Sequence, residues 1–279
     1  MRRKALMLMA VFVLLAITVV PAFAVTDGEL DGDGHPAVVL LLMEIGGVPR
    51  FRCSGTLLSP TVLLTAGHCT NGFPDFEFSG MRIFTESDVD GGNNNYPFAG
   101  PNSVEAVAWA AHPLYETAPL YFHDVGVVIL QEPGFVLDPS EYGVLPTVDQ
   151  LDSLKVRPQT TFTAVGYGLQ KSFPTAAAFL TEASRTRYNA EPWLVQINVP
   201  GFTGDFSLLL SNNAHSGGTC FGDSGGANFL GSGNGETKIV AGITSFGLNT
   251  TCAGTGGVFR TDRQDVQDFV YGFAGASLP

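Results

Sequence analysis

Residues 217–226 read Gly-Gly-Thr-Cys-Phe-Gly-Asp-Ser-Gly-Gly, and the interpretation of the whole chain starts from this stretch. Glycines on both sides of Ser224 let the backbone turn tightly and let another molecule approach it closely. A serine hydroxyl presented on such a turn is what a nucleophile needs. Ordinary glycine-rich loops have similar composition, so the choice depends on whether the chain also supplies a general base and a group that orients it.

The length and composition of the chain limit the class of protein. The 279 residues are 45% hydrophobic and 14% charged, enough for one large or two small folded domains and too apolar for a disordered chain. The net charge of −12 argues against binding to nucleic acid, which relies on clustered Lys and Arg. The acidic balance favours a soluble secreted protein and leaves open a preference for cationic substrates.

The first 24 residues differ in composition from the rest of the chain. Residues 2–4 are basic, residues 5–20 are almost entirely apolar, and Pro21-Ala-Phe-Ala24 has the small-x-small pattern that signal peptidase reads. We predict a signal peptide cleaved after Ala24, secretion to the extracellular space and no membrane attachment of the mature chain. An uncleaved anchor is the alternative, because the apolar run is almost long enough to span a bilayer.

Export would place the four cysteines where disulfides form and persist. Four cysteines allow three pairings, and we favour the one that closes two short loops, Cys53–Cys69 and Cys220–Cys252. Zinc is the weaker alternative, because no two cysteines have the spacing of zinc ligands.

Two acidic loops place oxygen atoms at alternate positions, as calcium ligands often are. These loops are Asp31-Gly-Asp-Gly34 and Asp88-Val-Asp-Gly-Gly-Asn93. Neither has the full EF-hand spacing with its closing glutamate, so solvated loops are the favoured interpretation. We therefore predict no bound metal and no cofactor.

Short apolar segments separated by turn-rich loops predict an all-β fold. One helix is predicted at about residues 262–273, where apolar residues from Val266 to Phe273 recur at i, i+3, i+4 and i+7. Thr261 and Asp262 precede it as candidate N-caps. The predicted strands are 37–45, 51–58, 61–65, 103–110, 125–130, 160–167, 193–199, 206–210, 238–246 and 257–260.

Three residues together could supply nucleophilic catalysis by Ser224. His68 ends an apolar segment beside Cys69, and Asp124 leads directly into a buried apolar run. A serine hydroxyl becomes a nucleophile when a neutral imidazole accepts its proton and a buried carboxylate orients that imidazole. The backbone amides of Gly222 and Ser224 can point into one space and bind a developing oxyanion. Taken singly, such a histidine or aspartate is more often a surface or turn residue.

At three motifs the chain resembles the trypsin/chymotrypsin-like serine proteases, in the order of that family. The motifs are Thr65-Ala-Gly-His-Cys69, Asp124-Val before an apolar strand, and Cys220-Phe-Gly-Asp-Ser-Gly-Gly226. The resemblance implies two six-stranded antiparallel β-barrels, about residues 25–140 and 150–260, with His68, Asp124 and Ser224 in the cleft between them. It also implies a serine endopeptidase acting on proteins or peptides through an acyl-enzyme, and we expect a monomer.

The resemblance assigns one strand to substrate binding. Ser245-Phe246-Gly247 is similar to the family's Ser-Trp-Gly segment, whose main chain pairs with an extended peptide. Ser245 would in addition support Asp124.

The resemblance also assigns the residues of the specificity pocket. Gly218 and Thr219 would form its base, and Gly247 and Gly257 its walls. No acid stands at Gly218, where trypsin-like members carry an aspartate, so we predict cleavage after apolar residues. Glutamyl specificity ranks lower, because Thr244 stands where such members carry a histidine.

A further role falls on the mature N terminus. In the family, a freed Ile or Val amine pairs with the aspartate before the nucleophile, here Asp223, and shapes the oxyanion hole. Val25 directly follows the predicted cleavage site, so the hypothesis is that signal peptidase itself creates the activating amine. The segment Val25-Thr-Asp-Gly28 departs from the family's two aliphatic residues and two glycines.

Two other function classes compete with a protease. Gly222-x-Ser224-x-Gly226 also fits the nucleophile elbow of α/β-hydrolases, but those enzymes place their histidine after the serine, and no histidine follows Ser224. A catalytically silent protease-like binding module is the stronger rival. Such modules usually lack a triad member, whereas this chain retains all three.

Overall fold

The computed structural model describes residues 25–72, 76–116 and 122–278. The predicted signal peptide lies outside these residues. Within the described part, no helix is both apolar and long enough to cross a bilayer. The elements are β1 (Glu29–Leu30), β2 (Val38–Ile45), β3 (Val48–Ser59), β4 (Val62–Thr65), β5 (Gly80–Phe84), β6 (Ser103–Ala111), β7 (Gly126–Leu130), β8 (Phe162–Gly166), β9 (Tyr188–Ala190), β10 (Leu194–Val199), β11 (Gly204–Asn212), β12 (Ala227–Leu230), β13 (Val240–Gly247), β14 (Gly254–Arg260) and the helix α1 (Gln264–Ala274).

The first half of the chain closes into an antiparallel barrel of six strands, in the order β2-β3-β4-β7-β6-β5. Strand β2 shows why its sequence is apolar without alternation. Successive side chains point to opposite faces of a strand, and here both faces are buried. Val39 and Leu41 pack inside the barrel, whereas Leu40 and Leu42 pack in a core shared with the second half.

The second half forms an eight-stranded antiparallel sheet, in the order β1-β9-β8-β12-β13-β14-β11-β10. The sheet curls until its last strand returns to β8. The Leu194 N–H donates to the Thr160 carbonyl at 2.8 Å, and the Phe162 N–H donates to the Pro192 carbonyl at 2.9 Å. The predicted all-β fold is confirmed, with one closed six-stranded barrel and one curled, barrel-like sheet. The second sheet has eight strands where six were predicted: the second half itself contributes seven, and β1, from the N-terminal segment, adds to β9.

A single hydrophobic core joins the two halves and the C-terminal helix. Its buried members come from β2, β3, β4, β5 and β7 of the barrel, from β8, β12, β13 and β14 of the sheet, from α1 and from adjoining loops. The loops at the seam between the halves are therefore held from both sides.

The start of α1 corrects one prediction. The helix begins at Gln264, and its N-cap is Arg263, which makes no side-chain capping bond. The Thr261 hydroxyl donates to the Val240 carbonyl, and the Asp262 carboxylate accepts hydrogen bonds from the guanidinium of Arg260. Tertiary partners therefore occupy both of the side chains that the sequence suggested as caps.

Candidate active site

His68 lies in a short 3-10 turn, Gly67–Cys69, immediately after β4. The Cys53–Cys69 disulfide ties this turn to β3. Gly67 is required by a close approach, because a Cβ there would lie 3.2 Å from the backbone nitrogen and carbonyl oxygen of Val125. The Thr-Ala-Gly-His-Cys motif thus packs the turn directly against the segment that carries Asp124.

Asp124 is completely buried and accepts hydrogen bonds from three groups. Its Oδ2 lies 2.9 Å from the His68 Nδ1, and its Oδ1 accepts the His68 backbone N–H at 2.9 Å. The Ser245 hydroxyl also donates to Oδ2, in the position that the sequence predicts. An ionised carboxylate can only accept, so Nδ1 carries the proton and Nε2 is the nitrogen that can take one up.

The charge of Asp124 sets the protonation of His68. Burial lowers the pKa of His68, but the Coulomb attraction and hydrogen bond of Asp124 raise it more, so the net pKa lies above its ordinary value. The pair therefore favours an imidazolium once His68 has accepted a proton.

Ser224 lies with His68 on the wall of one cleft of about 250 Å³. The Ser224 carbonyl accepts the Ser54 N–H of the first barrel at 2.8 Å. Gly225 follows at φ +83°, and a Cβ there would overlap the Thr65 hydroxyl and the Ser54 carbonyl. Only glycine permits this approach of the loop to the barrel.

Two of the three backbone amides of residues 222–224 have no hydrogen-bond acceptor in the described part of the chain. Within the described residues, neither the Gly222 N–H nor the Ser224 N–H donates to a protein acceptor, whereas the intervening Asp223 N–H donates to the Cys220 carbonyl at 3.1 Å. The Cys220–Cys252 disulfide closes the loop at its base. Two amide donors are thus available on either side of one that is engaged.

Asp223 is completely buried and accepts the N–H groups of Gly168 and Cys220, each at 2.8 Å. No ion pair involving Asp223 occurs in the described part of the chain. Burial raises the pKa of Asp223 to about 7, although these two hydrogen bonds and the charge of Arg52 lower it. The loop before Ser224 therefore encloses a carboxyl group that is poised to accept a cation.

Val25 is buried in a small apolar cluster with Tyr188 and Ala190. The next carbonyl, that of Thr26, accepts the Gly218 N–H at 3.0 Å. The N-terminal segment therefore reaches the loop that leads to Ser224. In the uncleaved chain the nitrogen of Val25 is a peptide amide without charge, and no contact pairs it with Asp223.

The cleft includes part of the predicted pocket. Its lining contains no carboxylate, ammonium or guanidinium among the described residues. Gly218 and Gly257 do not line it. The Asn212 side chain fills the space that a Cβ on Gly218 would take, and the Phe246 ring fills that beside Gly257. The lining residues are His68, Thr219, Cys220, Phe221, Ser224, Thr244, Ser245, Phe246, Gly247 and Cys252.

Three residues near the cleft were not identified from the sequence. Asn212 is buried and donates to the Thr219 carbonyl at 2.7 Å, which fixes one side of the cleft. Ser54 contacts the loop at Gly222. Arg52 lies beside the same loop, and its Nε is buried without a partner in the described part of the chain. Ser54 and Arg52 approach the loop from a distant part of the sequence, whereas Asn212 binds a residue seven positions away, and no local motif marks any of the three.

The acidic loops considered for calcium make bonds to the protein. Asp31 binds Arg187, with Oδ2 2.7 Å from Nε, and also contacts His35. Asp88 accepts the Gly91 N–H at 3.0 Å. The only metal-ligand grouping found among the described residues contains both sulfurs of the Cys53–Cys69 disulfide, so those sulfurs are not free thiolates.

Comparison with known proteins gives two matches. The family model described as Trypsin matches residues 30–270. Among solved structures, the chain is similar to HL collagenase, determined at 1.7 Å resolution, with a TM-score of 0.67 at 17% sequence identity. That match covers 90% of this chain and 98% of the collagenase chain, and at this identity it concerns the fold alone.

Proposed function

Because this chain belongs to the trypsin family, we propose that it is a secreted serine endopeptidase with the triad His68, Asp124 and Ser224. One observation carries the proposal: the completely buried Asp124 holds Nδ1 of His68 at 2.9 Å, on a cleft that Ser224 also lines. A purely structural role for Asp124 would not explain why it binds an imidazole on the wall of a cleft that a serine also lines.

The proposed reaction proceeds in two halves through an acyl-enzyme. Ser224 Oγ attacks the peptide carbonyl while His68 Nε2 accepts its proton, and Asp124 stabilises the resulting imidazolium. The amides of Gly222 and Ser224 donate to the oxyanion. His68 then protonates the leaving amine, and a water activated by the same imidazole hydrolyses the ester of Ser224. The protein residues suffice for these steps.

The proposed substrates are proteins or peptides cleaved after apolar residues. An extended peptide would pair with the Ser245–Gly247 segment of β13, which lines the cleft. The side chain before the cleaved bond would enter a space bounded by Thr219 and Phe246 and free of charged groups. We propose that the enzyme acts as a monomer.

We further propose that the mature enzyme begins at Val25 and that its new amine pairs with Asp223. Three features support this pairing. Asp223 is buried without an ion-pair partner in the described residues, and the adjacent Thr26 already bonds to the loop at Gly218. Val25 itself is buried, so an amine formed there would be enclosed by the protein.

A serine-directed phosphonate tests the function. The secreted wild-type protein should hydrolyse casein and carry the phosphonate on Ser224. Ser224→Ala should do neither while keeping the circular dichroism spectrum of the wild type. A folded wild type that is neither labelled nor active would instead support the silent binding module, and N-terminal sequencing of the same sample tests the start at Val25.

A further inference from the structure

Ser54 is completely buried on β3 of the first barrel, and all its polar groups except its carbonyl bind the second half of the molecule. Its backbone N–H donates to the Ser224 carbonyl at 2.8 Å. Its hydroxyl donates to the Gly222 carbonyl at 3.0 Å and accepts the Tyr167 N–H at 3.0 Å. One side chain thus connects the barrel, the segment that follows β8 and the loop that carries the candidate nucleophile.

The direction of the Gly222 N–H is set by the Phe221 carbonyl, which belongs to the same peptide group, whereas the Gly222 carbonyl belongs to the peptide group that follows. In a trans peptide the N–H points opposite to the carbonyl of the same peptide group. The Phe221 carbonyl accepts the Leu169 N–H at 2.9 Å, which directs the Gly222 N–H away from Leu169. The next carbonyl, that of Gly222 itself, is fixed by Ser54.

Gly222 needs such restraint because it has no side chain of its own. It lies at φ +99°, a region that glycine enters freely and leaves as freely. The Leu169 and Ser54 hydrogen bonds hold the peptide groups before and after it. The peptide group after Gly222 is also held by the Asp223 N–H, which donates to the Cys220 carbonyl at 3.1 Å, so loss of the Ser54 hydroxyl would loosen this group rather than free it.

We propose that Ser54 is a positioning residue for the oxyanion donors of Gly222 and Ser224. It touches no substrate. It acts through hydrogen bonds, from its hydroxyl to the Gly222 carbonyl and from its backbone N–H to the Ser224 carbonyl. The inference rests on the proposed protease function, since an oxyanion forms only if Ser224 attacks a carbonyl. Loss of one oxyanion donor costs about 10²–10³ in kcat, so loosening a donor should cost less, about 10- to 100-fold.

The space around Ser54 admits only a small side chain. A Cβ on Gly226 would lie 3.2 Å from the Ser54 Cβ, and one on Gly166 would lie 3.1 Å from its Oγ. Two glycines therefore make room for this hydroxyl, and enlargement to threonine would force the loop apart. The informative substitution is one that removes the oxygen alone.

The test compares Ser54→Ala with Ser59→Ala. Ser59 lies on the same strand, and its buried hydroxyl has no hydrogen-bond partner in the described part of the chain, so it is a matched control. The quantities to measure are KM and kcat, with kcat expressed per active site as counted by phosphonate titration. We also measure inhibition by a peptide trifluoromethyl ketone, whose adduct with the serine mimics the oxyanion, and by a cleaved product peptide.

The expected result is weaker binding of the transition state with nearly unchanged binding of substrate and product. Ser54→Ala should lower kcat about 10- to 100-fold and weaken the ketone by a similar factor, while KM and product binding change less than about threefold. Ser59→Ala should leave all four constants within about twofold. If Ser54→Ala does not fold, Ser54→Gly, which also lacks the hydroxyl, is measured in the same way.

Three outcomes overturn the inference. Unchanged kcat per titrated site in Ser54→Ala would mean that the hydroxyl does not position the donors. If inhibition by the ketone and by the product peptide weakens by the same factor, the substitution has disturbed the cleft as a whole. Failure of both Ser54 variants to fold, with Ser59→Ala folded, would make Ser54 a purely structural residue. A wild type without activity or labelling would instead defeat the proposed function itself.

Discussion

At the scale of single residues, the cleft depends on which side chains face it and which lie behind it. Thr219 lies on the lining, next to a set of uncharged residues. Gly218 lies behind the lining, where the Asn212 side chain occupies the space beside it. A charged side chain at Thr219 should therefore meet the substrate, whereas one at Gly218 should disturb Asn212.

Thr219→Asp should create a preference for Lys or Arg before the cleaved bond, because its carboxylate would face the cleft. We expect the ratio of kcat/KM for Arg over Leu substrates to rise at least about tenfold, or ~1.4 kcal/mol. Gly218→Asp is the comparison, and we expect it to lower stability without this gain, since its Cβ overlaps Asn212. Paired peptide substrates measure both, and an equal gain from the two variants would contradict this geometry.

At the scale of elements, tertiary contacts replace local signals at the start of α1. Asp262 stands where a helix cap is expected, but it is buried and binds Arg260, with Oδ1 2.9 Å from Nε and Oδ2 2.8 Å from Nη2. Its Oδ2 also accepts the Leu151 N–H at 2.8 Å. Arg260 is itself completely buried at the end of β14. Asp262 therefore joins the helix start, the last strand and the connection between the two halves.

Asp262→Ala should lower the free energy of unfolding by about 2–4 kcal/mol, because it removes two charge-assisted hydrogen bonds from a buried guanidinium, which keeps Asn198 and Asp152 as partners. A simple capping residue would cost only about 1 kcal/mol. Asp149→Ala is the control, since Asp149 pairs with Arg263 at 2.8 Å on the surface and should cost less than about 1 kcal/mol. Urea unfolding in a Ser224→Ala background avoids self-digestion, and equal losses for the two variants would reduce Asp262 to a cap.

At the scale of the whole molecule, the candidate site lies where the two halves meet. His68 and Asp124 flank strands of the first barrel, whereas Ser224 and Ser245 belong to the second half. The core that runs through both halves fixes the distance between them. The same packing encloses Asp223, which makes stability depend on the charge of a single carboxyl group.

The pH dependence of stability should differ between an enzyme that begins at Val25 and one with a single extra residue before it. With the pKa of Asp223 raised to about 7 from an ordinary 3.8, the folded state binds the proton more tightly than the unfolded state. That stabilisation is complete below about pH 4 and is lost as the pH rises through 7. The difference of about 3 pKa units corresponds to about 4 kcal/mol.

In the chain that begins at Val25, a paired ammonium should stabilise the carboxylate and remove most of this loss. We expect the extended form to lose more stability than the Val25 form between pH 5 and 8, as measured by urea unfolding of both in a Ser224→Ala background. Apart from Asp223 and the terminal amine proposed to pair with it, the titrating groups of the two chains are the same and cancel in the difference. The same pH dependence in both forms would argue against pairing of Val25 with Asp223.

Much of the fold was predictable because its signals are local. The long apolar runs predicted β2, β4, β7 and β13, and the helical periodicity predicted α1. Strands β1, β5, β9 and β12 were not predicted, because each is short and lacks a long apolar run, and each takes its stability from its neighbours in the sheet. The same limit applies to Ser54, which meets Gly222 across 168 residues of sequence.

By itself, the sequence determined the all-β class, the family, the two disulfide pairs and the identity of the triad candidates, because those depend on residue types in short, recognisable contexts. Only the tertiary structure decided how the stretch 217–226 is supported and what its pocket contains. Ser54 of the first barrel binds the loop at Gly222. The side chains of Asn212 and Phe246 fill the space beside Gly218 and Gly257. Asp262 binds Arg260 instead of capping α1. Each of these depends on atoms brought together by packing of the whole chain, which local periodicity and spacing do not encode.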